Sequence, residues 1–114
     1  AEVIGLGVEK LIGQIRQADR SIKILLISPI LLGEEVWKAE FDPEFDRESV
    51  ETARKLKAVY QRIAVEQGTY FMAASDYATP SPVDQEHLDE EGHRRLAEAV
   101  YRKLTEIPPA TGVA

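Results

Sequence analysis

Asp84 stands three residues ahead of His87 in the stretch Ser81-Pro82-Val83-Asp84-Gln85-Glu86-His87-Leu88-Asp89, between an apolar run and a helical pattern. An imidazole acting as a general base needs an acceptor on its second ring nitrogen, which fixes the tautomer and stabilises the imidazolium once it forms. Asp84 is spaced to be that acceptor. In an irregular Asp-x-x-His turn both side chains fold to the same side of the loop. The far ring nitrogen then points over the carboxyl edge of a sheet, where open α/β sheets bind their ligands. Read as spacing alone, the pair also has an ordinary meaning, a capping aspartate beside a surface histidine.

The only other histidine, His93, falls on the apolar stripe of a helical pattern, where a buried packing role is the default. Glu86, next to His87, reads as a solvated carboxylate that favours the protonated ring. A metal site is not expected, although His87, His93, Asp84 and Asp89 lie close together. The two histidines are six apart and do not match the i, i+4 pairing on one helical face that zinc enzymes use. No cofactor is expected either.

The run Ser-Pro-Val-Asp-x-x-His-Leu-Asp-x-x-Gly-His, followed by Arg-Arg-Leu-Ala-Glu-Ala-Val, resembles the last block of the SGNH (GDSL) hydrolases, small α/β esterases and acyl transferases. The stretch Lys23-Ile-Leu-Leu-Ile-Ser-Pro-Ile30 resembles that family's penultimate strand with its proline-containing exit. The helix Glu48 to Gln67 and the strand Thr69 to Ala74 sit where the family keeps its last αβ unit, so the likeness spans nearly the whole chain. The resemblance implies a flavodoxin-like three-layer α/β/α sandwich with a parallel sheet, of which this chain supplies the last two strands and three helices. It implies a Ser-His-Asp triad acting on small esters, with Asp84 orienting and His87 moving the proton. Pro29, Ile30, Trp37 and Val83 would line the acyl or alcohol pocket.

The rest of the implied machinery is missing from the chain. The family's nucleophile stands in a Gly-Asp-Ser-Leu-like block after the first strand, and its oxyanion hole uses an asparagine. This chain has no asparagine, and Ser21, Ser28, Ser49, Ser75 and Ser81 do not follow a Gly-Asp pair. Ser28, at a strand end, reads as a hydroxyl bonded to backbone. The expectation is therefore one partial domain, residues 1–114, the carboxyl-terminal half of an SGNH fold. Its open strand edge would be covered by an amino-terminal half or by another copy of the chain. The rival reading is a non-catalytic α/β remnant or interaction module. Three residues depart from the family pattern: Gln85 and Glu86 replace a Gly-Val or Gly-Ile pair, and Ala73 stands where relatives often have Asp.

Composition fits a single soluble unit. Of the 114 residues 44% are hydrophobic and 30% charged, and the net charge of −6 carries no basic stripe, which argues against nucleic-acid or anionic-membrane partners. No apolar run approaches the ~20 residues of a membrane helix. The lack of cysteine removes disulfides, thiolate nucleophiles and thiolate metal sites, and it points to the cytoplasm. A secretory leader, if there is one, would lie ahead of Ala1.

The elements that must position the pair follow from periodicity. Ile4, Val8, Leu11, Ile12 and Ile15 recur at helical spacing and predict a helix from about Val3 to Ala18, weakened by Gly5, Gly7 and Gly13. The near-continuous apolar run from Ser21 to Ile30 predicts a strand covered on both faces and ended by Pro29. Leu31 to Asp46 has no period, and its Trp37, Phe41 and Phe45 mark it as a pocket wall or a self-packed loop. Asp46 or Ser49 caps a long helix with an inner stripe of Val50, Ala53, Leu56, Tyr60, Ile63 and Ala64, closed by a left-handed Gly68. Thr69 to Ala74 predicts a second strand, parallel to the first. Pro80 and Pro82 stiffen the loop ahead of Asp84. Asp89 caps a last helix with inner face His93, Leu96, Ala97, Val100 and Leu104. Pro108 and Pro109 stop it, and 107–114 form a loose tail.

Overall fold

A computed structural model of the chain describes residues 1–109; residues 110–114, and so the end of the tail expected over 107–114, lie outside the described residues. Helix α1 covers Glu2–Ala18, strand β1 Leu25–Ser28, helix α2 Arg47–Gln67, strand β2 Tyr70–Ala73 and helix α3 Glu90–Glu106, with a 3₁₀ turn at Ala74–Asp76. The strands pair in parallel, with Leu25 opposite Tyr70 and Ser28 opposite Ala73. The protein is thus an α/β unit with a two-stranded parallel sheet.

β1 is shorter than the apolar run that predicts it. Only four residues find a partner on β2, and Pro29 has no N–H to extend the ladder. Both predicted caps of α2 act together in a capping box: the Asp46 carboxylate accepts from the Ser49 amide at 2.8 Å, and the Asp46 amide donates to Ser49 Oγ at 3.2 Å. Gly68 closes the helix at φ 68°, the left-handed conformation that costs glycine nothing.

α2 packs on the sheet and α1 packs on α2. The buried face of α2 is Val50, Ala53, Leu56, Val59, Ile63 and Ala64. Val59 therefore takes the place predicted for Tyr60, which is half-buried. Ile12, Val59 and Ile63 form the core, with Val8, Ile24 and Leu26 against them. Gly5 is a contact residue, more than a weak point in the helix. A Cβ there would lie 2.8 Å from Val59 Cγ1, so its absence lets α1 approach α2.

α3 departs most from expectation. Its buried residues are Gly92 and Ala99, while His93, Leu96, Ala97, Val100 and Leu104 line a shallow surface groove with Tyr101. Leu104 is 54% exposed. Periodicity correctly marks this stripe as apolar, yet a sheet two strands wide offers too little surface to cover three helices. The radius of gyration, 15.9 Å, exceeds the ~13 Å of a compact chain of this length. The accessible surface, 7723 Å², likewise exceeds the roughly 6,300 Å² expected for its mass. Exposed apolar side chains on α1 and α3, among them Val3, Leu6, Leu11, Tyr101 and Leu104, are part of that surface.

Candidate active site

The Asp84–His87 turn lies between β2 and α3, and Ser81 ties it into a closed loop. The Ser81 amide donates to the His87 carbonyl at 2.7 Å, the Gln85 amide donates to the Ser81 carbonyl at 2.8 Å, and Ser81 Oγ accepts from the Val83 amide at 3.1 Å. With Pro80 and Pro82 on either side, the backbone around Ser81 has little freedom. Gln85 sits at φ 66°, among the described residues the one positive φ outside glycine. A side chain in that region costs about 1 kcal/mol. The bonds at Ser81 and Gly33 hold Gln85 in it.

The left-handed bend turns the next two amides onto the aspartate. Asp84 Oδ1 accepts from Glu86 N and His87 N, each at 3.0 Å, and Asp84 Oδ2 lies 2.7 Å from His87 Nδ1. The amides of Glu86 and His87, and then the His87 ring, pull the Asp84 carboxyl down to about 2, so it is ionised at any working pH. The Asp84 hydrogen bond and charge in turn push His87 upward. A carboxylate on Nδ1 selects the tautomer whose Nε2 is basic, and Nε2 makes no hydrogen bond among the described residues. The ring side chain is 73% exposed. Such a pair can take a proton from a hydroxyl that approaches Nε2.

Glu86 is not the solvated carboxylate that its position predicts. Its side chain is only 20% exposed, Oε1 lies 3.5 Å from His87 Nδ1, and Oε2 is buried without a hydrogen-bond partner. Burial first, and the Asp42 carboxyl second, push Glu86 above the usual carboxylate range. His93, expected to be buried, is exposed on the open face of α3.

The proposed pocket residues do not converge. Pro29 and Ile30 line a groove of about 510 Å³ with Leu32, Phe45 and Leu56. Trp37 lies outside that lining: its indole N–H donates to the Glu34 carbonyl at 2.9 Å, and the Arg47 guanidinium stacks 4.5 Å from its ring centre. Val83 is also outside it and is 84% exposed.

Four of the five serines have other partners or are enclosed. Ser21 donates to Asp19, Ser49 closes the capping box and Ser81 holds the turn. Ser28 is fully buried, and its Oγ lacks a partner, contrary to the backbone bond expected of it. Its cross-strand neighbour is Ala73, which offers that hydroxyl no polar side chain.

Residues that periodicity passed over complete the support. The Gly33 amide donates to the Gln85 carbonyl at 2.7 Å, which docks the Leu31–Asp46 loop on the turn. A glycine in a loop without other glycines is the one signal of this contact in the sequence.

No protein-family model matches the chain, and no curated protein is similar enough to match it. Solved structures do match. One that is 30% identical superposes with a TM-score of 0.85 over 92% of this chain and 50% of its own. A carbohydrate acetylesterase from Sinorhizobium meliloti is 25% identical, with a TM-score of 0.77 over 91% of this chain and 51% of that one. The native aryl esterase of M. smegmatis is 25% identical, with a TM-score of 0.63 over 75% and 39%. These esterases have the SGNH architecture. The chain shares the SGNH (GDSL) hydrolase fold of these structures. It spans about half the length of the structures it matches. The two strands, the three helices and the Asp-x-x-His turn are present where the sequence predicts them.

Proposed function

We propose that the protein is a serine-type ester hydrolase or acyl transferase acting on small esters, in which this chain supplies the acid and the base of a Ser-His-Asp triad. The observation that carries this reading is the 2.7 Å contact between Asp84 Oδ2 and His87 Nδ1 on a turn closed by Ser81. In the proposed reaction a serine hydroxyl attacks the ester carbonyl while His87 Nε2 takes its proton. Collapse of the tetrahedral intermediate breaks the bond to the alcohol oxygen, which receives that proton from His87. Water, or another acceptor, then gives its proton to His87 and resolves the acyl enzyme. The chemistry calls for no cofactor and no metal.

The serine and the oxyanion donors would come from another stretch of polypeptide. The unpaired edge of β1 and the apolar stripe of α3 support this, because both are surfaces that a parallel α/β/α sheet buries. In this reading residues 1–114 are one partial domain. That stretch is the amino-terminal half of the same fold or a second copy of the chain. A second reading, a scaffold without chemistry, is favoured by Ser21, Ser28, Ser49 and Ser81, which are bonded elsewhere or enclosed.

Hydrolysis of p-nitrophenyl acetate by the full-length protein and by Asp84→Asn decides between the two. The proposal expects Asp84→Asn to lower turnover by roughly 10⁴ through loss of the correct tautomer. Equal turnover in the two proteins refutes the role given to Asp84, and none in either leaves the scaffold. Among the described residues no helix is long and apolar enough to cross a membrane.

A further inference from the structure

Two carboxylates reach the same nitrogen of His87. Asp84 Oδ2 takes the hydrogen bond at 2.7 Å, and Glu86 Oε1 stands 3.5 Å from the same Nδ1. A single N–H has one strong acceptor, so Asp84 fixes the tautomer, and Glu86 adds charge without a bond of its own. A surface glutamate would not be placed this way. The His87 side chain is 73% exposed, but that of its neighbour Glu86 is only 20% exposed, with Oε2 buried and lacking a hydrogen-bond partner. An orphaned carboxylate oxygen costs free energy that a turn outward into water would recover. Among the described residues, His87 is the one cationic group within ion-pair distance of Glu86.

We infer that Glu86 is a positioning residue: with Asp84 it forms a two-carboxylate cradle at Nδ1 of His87, in which Asp84 orients the ring and Glu86 stabilises the imidazolium through charge alone. The inference rests on the catalytic reading of His87 for its purpose, and on the 3.5 Å separation and the buried orphan oxygen for its physics. The backbone holds the three residues as a unit, because the amides of Glu86 and His87 both donate to Asp84 Oδ1 at 3.0 Å. The charges that act on the ring have one sign. Asp84 favours its protonated form most, by hydrogen bond and then by charge, and Glu86 and Asp42 of the Leu31–Asp46 loop add to this by charge. The coupling is reciprocal. Burial, Asp42 and Asp84 oppose ionisation of Glu86, and the charged ring favours it.

This charge has two effects of opposite sign on turnover. When Nε2 takes the serine proton, the ring becomes a cation, so the attraction of Glu86 is stronger in the transition state than in the resting enzyme and lowers the barrier without tightening substrate binding. The same attraction keeps the resting ring protonated to a higher pH, which withholds the base at the acid end of the profile. Removing the charge should therefore widen the active range toward acid and weaken the base above it.

The test compares the full-length wild type with Glu86→Gln, which keeps the side-chain shape and removes the charge. Opposite charges about 4 Å apart, even in water, change a proton-binding equilibrium about fivefold. The His87 ring, followed by NMR from about pH 4 to about pH 9, should bind its proton about fivefold more weakly in Glu86→Gln. In hydrolysis of p-nitrophenyl acetate the acid limb of the kcat profile should move to lower pH and the alkaline plateau should fall several-fold, with KM unchanged. A ring that titrates at the same pH in both proteins overturns the inference, whatever happens to turnover. Should Glu86→Gln not fold, the wild type decides: the Glu86 carboxyl resonance must show an inflection where the ring titrates, and its absence overturns the inference. A weakened ring titration in Glu86→Gln with no turnover in either protein upholds the charge pairing and counts against the catalytic reading alone.

Discussion

Gly33→Ala tests whether the turn that holds His87 is seated by its neighbour loop. A Cβ at position 33 would lie 2.6 Å from Gln85 Cδ and 2.7 Å from Gln85 Cβ. The Cδ can swing away, but the Cβ is fixed to the backbone. Relief to an ordinary carbon separation of about 3.5 Å requires roughly 0.8 Å of backbone movement at Gln85. Gln85 precedes His87 by two residues, and the hydrogen bonds at Ser81 transmit the shift through the closed turn. Overpacking of this kind costs about 1–3 kcal/mol. Misplacing a catalytic group by about 1 Å costs of the order of 10²-fold in rate. We expect Gly33→Ala to lower the thermal midpoint and to reduce kcat for p-nitrophenyl acetate about a hundredfold, with KM little changed. The compensating change is Gln85→Gly, which removes the colliding side chain and suits φ 66°. The double variant should regain most of the rate, with a coupling of about 1–3 kcal/mol in the cycle. A Gly33→Ala protein with wild-type rate and midpoint would refute the reasoning, as would a double variant no better than the single one.

The remaining predictions concern the pair and the core. The ring of His87 should titrate above the ordinary histidine value of 6.5 in an NMR titration, and Asp84→Asn should lower it. Stabilisation from the protonated His87 pair is complete below 6.5 and is lost as pH rises through the raised value. That from Asp84 is present above 3.8 and is lost as pH falls through about 2. Turnover by a neutral base therefore rises across the range in which the ion pair dissolves, and a pH profile that falls there would contradict the role given to His87. Gly5→Ala should destabilise the chain by about 1–3 kcal/mol in a denaturant melt, because its Cβ would meet Val59 Cγ1 at 2.8 Å and Ile63 Cδ1 at 3.3 Å. An increase in stability, as helix propensity alone would give, would show that α1 does not seat on α2 in this way.

Much of the local structure could be read from neighbouring residues, because its causes lie within a few positions of its effects. Asp46 with Ser49, Gly68 and Asp89 mark helix ends through bonds that span three or four residues. Pro29 ends β1 by lacking one N–H. Asp84 and His87 meet because a three-residue separation and a tight turn leave them few other places to be. Tertiary structure decided what lies across long separations. Val59 and not Tyr60 faces the core, since the seating of α1 at Gly5 sets the rotation of α2 by a fraction of a turn. Glu86 Oε2 is buried, although nothing in the residues around it in the sequence foretells cover. Gly33 matters only because Gln85 sits against it. An apolar period can say that a helix face wants cover, as it does for α3, but only the packed arrangement shows whether cover is present. Burial is a property of what else arrives at a place, and no short window of residues contains that information.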